Sequence, residues 1–209
     1  MKPLFNAAVA AILSMSALAH SAQIPLSALT RRDISLAAEA IASPFAAQAG
    51  SLLVVDGTTQ RLVLWQGGEA KFACDVSTAL AGFGCEADSG RTPVGWHRVA
   101  QWIGDAAAPG QVFVSRVATN EVIPPEGWRS SSGEDKVLTR IMWLEGLEPG
   151  RNSGPGVDSH GRYIYIHGTN QEHLLGAPAS HGCIRLANSD AIALFDLTSG
   201  TETRCVVIP

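Results

Sequence analysis

The feature that most constrains the fold is a succession of short apolar segments, closed by tight polar or glycine-bearing turns, that begins at Ser51. Leu52-Leu53-Val54-Val55-Asp56 is followed by the turn Gly57-Thr58-Thr59, then Arg61-Leu62-Val63-Leu64-Trp65, then Gly67-Gly68, then residues 70–76. Such spacing predicts three strands joined by tight turns, and strands this short and regular argue a mainly β fold, a sandwich or barrel with a few short helices. The 21 Gly and 11 Pro, against 6% aromatic residues, agree with many turns rather than a helical bundle. A length of 209 residues with 46% hydrophobic residues suits one compact domain with a short appendage, and excludes disorder.

That appendage is expected at the N-terminus. Lys2 precedes an uncharged, mostly apolar run over residues 7–19, too short to cross a bilayer and ending in Ala17-Leu18-Ala19. This is the pattern of a signal peptide at 1–19, cut after Ala19, with Ala22 as the second choice. No cysteine lies near the cut, so a lipoprotein anchor is not expected, and no later stretch is long enough for a transmembrane span. The chain reads as exported to the periplasm or cell envelope.

Fifteen basic against nineteen acidic side chains, with no basic cluster beyond Arg31-Arg32, leave no footprint for a polyanion, so nucleic acid is excluded as a partner. Export makes disulfides the default use of cysteine, and with Cys183 reserved for chemistry, Cys74 and Cys85 are the favoured pair and Cys205 a buried thiol.

Residues 20–50 form the N-terminal helical segment. Leu29, Ile34, Leu36, Ala37 and Ile41 recur at helical spacing with Asp33 and Glu39 opposite, predicting one amphipathic helix ended near Ser43-Pro44. Further along, residues 92–100 read as a turn feeding a strand, 105–110 as a loop, 111–116 and 137–147 as strands, and 148–160 as a Gly-rich loop. Residues 124–136, with two prolines and three consecutive serines, form an exposed excursion able to cover a cleft, and the five tryptophans read mostly as core, with a ligand platform as the alternative for Trp128 in this excursion. His97 and His160 read as surface or hydrogen-bonded loop residues.

The chemistry concentrates late in the chain. Arg162-Tyr163-Ile164-Tyr165-Ile166-His167 alternates as a strand, with Tyr163, Tyr165 and His167 on one face, before Gly168-Thr169-Asn170 breaks it. Then comes Ser180-His181-Gly182-Cys183-Ile184-Arg185-Leu186-Ala187-Asn188, leading into a helix capped by Asn188 or Ser189. A nucleophilic thiol needs a base or cation to hold it as thiolate, anion-friendly backbone, and access. Here the amides of Gly182 and Cys183 can face an oxyanion, His167 or His181 can take the thiol proton, and Arg185 adds positive charge; spacing alone leaves both histidines open. His167, His173, His181 and Cys183 lack the short ligand spacings of a zinc site, so neither a metal nor an organic cofactor is expected.

Tyr165-Ile166-His167-Gly168-Thr169-Asn170 with Pro178-Ala179-Ser180-His181-Gly182-Cys183-Ile184-Arg185-Leu186 and Asn188 closely resembles the signature of the L,D-transpeptidase catalytic-domain family of cell-wall enzymes. The likeness takes in Thr92-Pro93-Val94-Gly95 and Leu144-Glu145-Gly146-Leu147-Glu148 and covers residues 51–209 as a catalytic domain. It implies Cys183 as nucleophile and His167 as acid-base, with Gly182, His181, Ser180 and Gly168 in supporting or oxyanion roles. Arg185, Tyr165 and Asn188 would face substrate, Arg185 being equally suited to a structural ion pair. The implied donor is a peptidoglycan stem tetrapeptide, cleaved before its terminal D-Ala through a thioester, with the Gly168 carbonyl or a neighbouring polar group orienting His167. Resolution by an amine gives a cross-link, or attachment of an outer-membrane lipoprotein; resolution by water gives an L,D-carboxypeptidase or another peptidoglycan hydrolase. Cys74, Cys85 and Cys205 have no counterpart in the family pattern.

Overall fold

The computed structural model describes residues 23–209 except Ser132, so the expected signal peptide lies outside the described residues. Helix α1 (Arg31–Ile41) opens on a reciprocal cap, in which the Thr30 hydroxyl accepts from the Asp33 amide at 3.2 Å and the Asp33 carboxylate accepts from the Thr30 amide at 2.6 Å. It is shorter than the segment expected to be helical, with single 3-10 turns at Leu26–Ala28 and Pro44–Ala46. Its facing also differs from the expectation: Asp33, Ala37 and Ala40 are buried, whereas Ile34 and Ile41 are 55% and 47% exposed. The reason is electrostatic, because Asp33 receives Arg61 at 2.8 Å and Arg32 reaches Asp56 at 2.5 Å, docking the helix by its N-terminal polar residues.

The ten strands among the described residues are β1 (Ser51–Asp56), β2 (Arg61–Gln66), β3 (Glu69–Asp75), β4 (Gly95–Ile103), β5 (Gln111–Val114), β6 (Val117–Val122), β7 (Val137–Gly146), β8 (Tyr165–Thr169), β9 (Ile184–Leu186) and β10 (Thr203–Ile208). They form one mixed sheet in the order β3-β2-β1-β10-β4-β7-β5-β6, with β8 on β7 and β9 on β8. Of these strand pairs, β1–β10 and β8–β9 are parallel and the rest antiparallel. The sheet curls back on itself: beyond β3, Ser77 exchanges backbone bonds of 3.0 Å in both directions with Arg185 of β9. This closure makes the fold mainly β and barrel-like.

Inside it lies one continuous core, taking Leu53 and Val55 from β1, Leu62 and Leu64 from β2, Ile166 from β8 and Ile184 from β9. Helix α2 (Asn188–Thr198) plugs this core with Ala191, Leu194 and Phe195. The opposite face of β1, β4 and β10 packs Leu52, Val54, Trp96 and Val206 against Ala40 of α1.

Two expectations are corrected here. No disulfide joins Cys74 to Cys85, and all four cysteines are free thiols. Cys74 points into the core beside Leu62 and Phe72, whereas the Cys85 thiol donates toward Val94 O from a loop. The N-cap of α2 is Ala187, not Asn188 or Ser189, and Glu172 supplies the missing acceptor by receiving the Asn188 amide at 2.7 Å. Among the described residues no helix is long and apolar enough to cross a membrane.

Candidate active site

Two neighbouring strands build the site. Strand β8 pairs with β9 in the register Ile166↔Ile184 and His167↔Arg185. Alternation sends Ile166 and Ile184 into the core, and Tyr165, His167 and Arg185 to the other face. Cys183 precedes β9 by one residue and falls opposite Tyr165. Strand spacing and rise therefore place its Cα about 8 Å from that of His167, on the same face. Its thiol accepts from the Tyr165 amide at 3.3 Å and lies 3.5 Å from the Tyr163 carbonyl, packed beside Trp143 and Ile141.

Tyr163 is not part of the strand. It sits at φ 58° in a turn, 53% exposed, and β8 instead runs on through Gly168 and Thr169, the residues expected to break it. A bulge on β7 allows this: Leu138 pairs with Gly168 and Ile141 with His167, leaving Thr139 and Arg140 extra, Thr139 at φ 70°. Bulges of this kind turn the flanking side chains toward a site.

His167 is 1% exposed, and its Nδ1 lies 2.7 Å from the Gly168 carbonyl oxygen. A carbonyl can only accept, so Nδ1 carries the proton and the Nε2 lone pair is left to receive one. Burial holds the imidazole below its ordinary range, opposed by the Asp135 charge and reinforced by Arg185. Gly168 has to be glycine, since a Cβ there would collide with Asn188 Oδ1 and stand 3.0 Å from Leu138 O. Asn188 locks the strand from behind, donating to Thr169 O at 2.8 Å and Glu172 at 2.9 Å, and accepting from Thr139 Oγ1.

Burial pushes the Cys183 thiol up to about 11, against the favourable amide of Tyr165. Arg185, expected to add free positive charge, is 1% exposed and bound to Asp135 at 2.9 Å, Gln171 at 3.1 Å and Ala179 O at 3.0 Å. Of its two readings, the structure presents the ion pair. Tyr165 and Asn188 are likewise buried with their polar atoms engaged inside the protein, Tyr165 accepting from Arg116 at 3.0 Å.

The turn before Cys183 is fixed by Ser180, whose hydroxyl donates to Cys183 O at 2.6 Å and accepts from the Gly182 amide at 3.2 Å. Gly182 is at φ 134°, a conformation for glycine. Its amide is thus turned to Ser180 and not to an oxyanion, while the Cys183 amide has no acceptor among the described residues. His181 is exposed and borders a cleft of about 440 Å³ with Tyr163, Ile164, Arg162 and Asp88.

Residues 134–136 lie against the residues that follow His167. Asn170 accepts from the Lys136 amide at 2.8 Å and donates to Glu134 O at 3.0 Å, and Thr169 donates to Asp135 at 2.8 Å. Trp128 is not a ligand platform: it is 5% exposed, packs with Val112 and Leu138, and donates to Ile123 O. His97 is fully buried, between Gly95 O and Ser159 Oγ at 3.0 Å each, and His160 stacks on Trp143 at 3.9 Å. Among the described residues no three His, Cys, Asp or Glu side chains gather to hold a metal. Asp135, Arg116 and Trp143 are the site residues that sequence reasoning missed, because nothing local ties a loop aspartate or a hairpin arginine to a cysteine dozens of residues away.

A family model, the YkuD L,D-transpeptidase catalytic domain, matches residues 50–208. No curated protein matches the chain significantly. Among solved structures it is similar to an L,D-transpeptidase from Mycobacterium smegmatis, at 20% identity and TM-score 0.44, over 77% of this chain and 59% of that one. It is also similar to L,D-transpeptidase 3 from Mycobacterium tuberculosis, at 13% identity and TM-score 0.47, over 77% and 62% of the two chains. For an Enterococcus faecium L,D-transpeptidase mutant the values are 16%, 0.45, 76% and 50%. The chain thus spans about half to three-fifths of the length of these relatives.

Proposed function

We propose, from the premise that this chain belongs to the L,D-transpeptidase catalytic-domain family, that it is a cysteine-dependent transpeptidase acting on peptidoglycan stem tetrapeptides in the cell envelope. The observation that supports the reading is the pairing of β8 with β9, whose register puts Cys183 and His167 on one face, with His167 Nδ1 committed to Gly168 O.

In this mechanism the Cys183 sulfur attacks the carbonyl of the third stem residue while its proton passes to Nε2 of His167. The sulfur–carbon bond forms, the carbon–nitrogen bond to D-Ala breaks, and the same proton leaves on the D-Ala amine. With burial raising the thiol and lowering the imidazole, the proposed mechanism starts from the neutral pair and moves the proton as the sulfur attacks. The Cys183 amide, without an acceptor among the described residues, is the donor for the tetrahedral oxyanion. Ser180 and Gly182 hold the turn, and the exposed His181 borders a cleft with Tyr163 and Ile164. The thioester then passes its acyl group to an amine of a second stem, or of an outer-membrane lipoprotein, giving a cross-link or an attachment. Residues 1–19 would deliver the enzyme to that compartment as a cleaved signal peptide, leaving 20–50 as an N-terminal segment ahead of the catalytic domain 51–209.

The test is intact-mass analysis after incubation with a defined tetrapeptide muropeptide, with and without an acceptor stem. An adduct lost in Cys183→Ala and in His167→Ala, together with dimers in the presence of acceptor, is expected. Shortened monomers alone would convert the reading to L,D-carboxypeptidase, and full turnover by Cys183→Ala would end it.

A further inference from the structure

The two-residue turn joining β5 to β6 is Ser115-Arg116, with φ of 48° and 69°. A hairpin turn with both central residues at positive φ favours Asn-Gly, and a long side chain at the second position is disfavoured by the backbone. What the chain obtains there is a placed guanidinium. Its centre stands 4.5 Å over the Trp143 ring and 4.7 Å over the Tyr163 ring, and one nitrogen donates to the Tyr165 hydroxyl at 3.0 Å. Tyr163 is itself at positive φ, 58°, so two backbone positions that disfavour side chains meet at this contact.

The residues that hold Arg116 are the ones that bound the sulfur, since the Cys183 thiol lies against the Tyr163 carbonyl and the Tyr165 amide. Arg116 is half-buried and has no carboxylate within ion-pair distance among the described residues, and one of its five N–H donors is used. The other two guanidinium groups near the sulfur are spent internally: Arg185 on Asp135, Gln171 and Ala179, and Arg162 on the carbonyls of Gly84 and Arg91.

We infer that Arg116 is the anchor for a carboxylate of the peptide entering the Cys183 site, so that the enzyme selects a donor carrying a free carboxylate near the scissile carbonyl. Cation–π contact with the Trp143 and Tyr163 rings holds the guanidinium in place, and the donors it does not spend on Tyr165 suit bidentate binding of such a group. The inference rests on Cys183 being the acyl-accepting nucleophile and adds the recognised chemical group to that reading.

The experiment measures kcat/KM for adduct formation, by intact mass, with three tetrapeptides: the free acid, the C-terminal carboxamide, and the variant amidated on the side-chain carboxylate of its third residue. One of the two amidations is expected to slow the wild-type enzyme by about ten- to hundredfold, and which one identifies the carboxylate. Arg116→Gln should lose the same factor on the free acid and become indifferent to that amidation, whereas Arg116→Lys should keep part of the preference. Wild-type enzyme that forms the adduct equally with all three peptides overturns the inference while leaving the nucleophile intact. An Arg116→Gln enzyme that keeps the full preference overturns it in the same way. Failure of the wild type to form any adduct overturns the nucleophile reading and this inference with it.

Discussion

Asp135 Oδ2 lies 2.9 Å from the Arg185 guanidinium, joining the segment over the site to the strand that follows the nucleophile position. The pair acts at once on both groups that the proposed mechanism uses. The Asp135 charge raises the Cys183 thiol and the His167 imidazole, and the Arg185 charge lowers both.

Asp135→Asn should therefore have two separable effects. It strands a buried cation, costing about 2–3 kcal/mol of stability in urea denaturation. It also removes a negative charge that raises the thiol, so alkylation of Cys183 by iodoacetamide at pH 7.5 should become faster than in the wild type. Slower alkylation in a folded variant would show that the pair does not set the charge balance of the site.

For the wild type, the thiol raised to about 11 by burial dictates a pH profile. The thiolate fraction below that value grows by roughly tenfold per pH unit, so the alkylation rate should climb steadily from pH 7 to beyond 9. A pre-formed thiolate–imidazolium pair would instead give a plateau above pH 6 to 7, and observing one contradicts the neutral resting state.

His97 is buried without charge, and burial lowers it from 6.5 to about 4. The unfolded chain takes up this proton at higher pH than the folded one. The stability His97 contributes is thus complete above pH 6.5 and is lost as pH falls toward 4, by about 3 kcal/mol in all. Urea midpoints for His97→Gln should show a shallower loss than wild type between pH 6.5 and 4.5; parallel curves would refute the assignment.

Gly168→Ala drives a methyl group into Asn188 Oδ1. Overpacking here should cost about 1–3 kcal/mol, and displacement of the carbonyl that holds His167 should slow adduct formation by about tenfold or more. Thermal denaturation and intact-mass kinetics read the two effects separately.

Much of the framework is legible in the residues because period two reports directly which face a strand buries. Residues 51–76 yield β1 to β3 that way, and Ile166 and Ile184 mark the core side of β8 and β9. The same alternation fails at Tyr163, because a left-handed residue before the strand is invisible to a pattern of apolar positions. It fails again in α1, where Ile34 and Ile41 look inward but the ion pairs of Arg32 and Asp33 turn the helix the other way. Strand β6, with its largely exposed Val117–Val122, carries no buried face to betray it. Around Cys183, the contact between His167 and the Gly168 carbonyl follows from adjacency in the chain, whereas Asp135 and Arg116 arrive through tertiary folding and leave no local trace.

Strand β10 lies between β1 and β4, in the middle of the sheet order, although every other strand precedes it in the chain. Synthesis runs in one direction, so until residue 208 is available β1 and β4 each present an unpaired edge and the barrel cannot shut. The strand made last of the ten is thus the keystone that joins the β1–β3 half of the sheet to the half that carries β4 and β7.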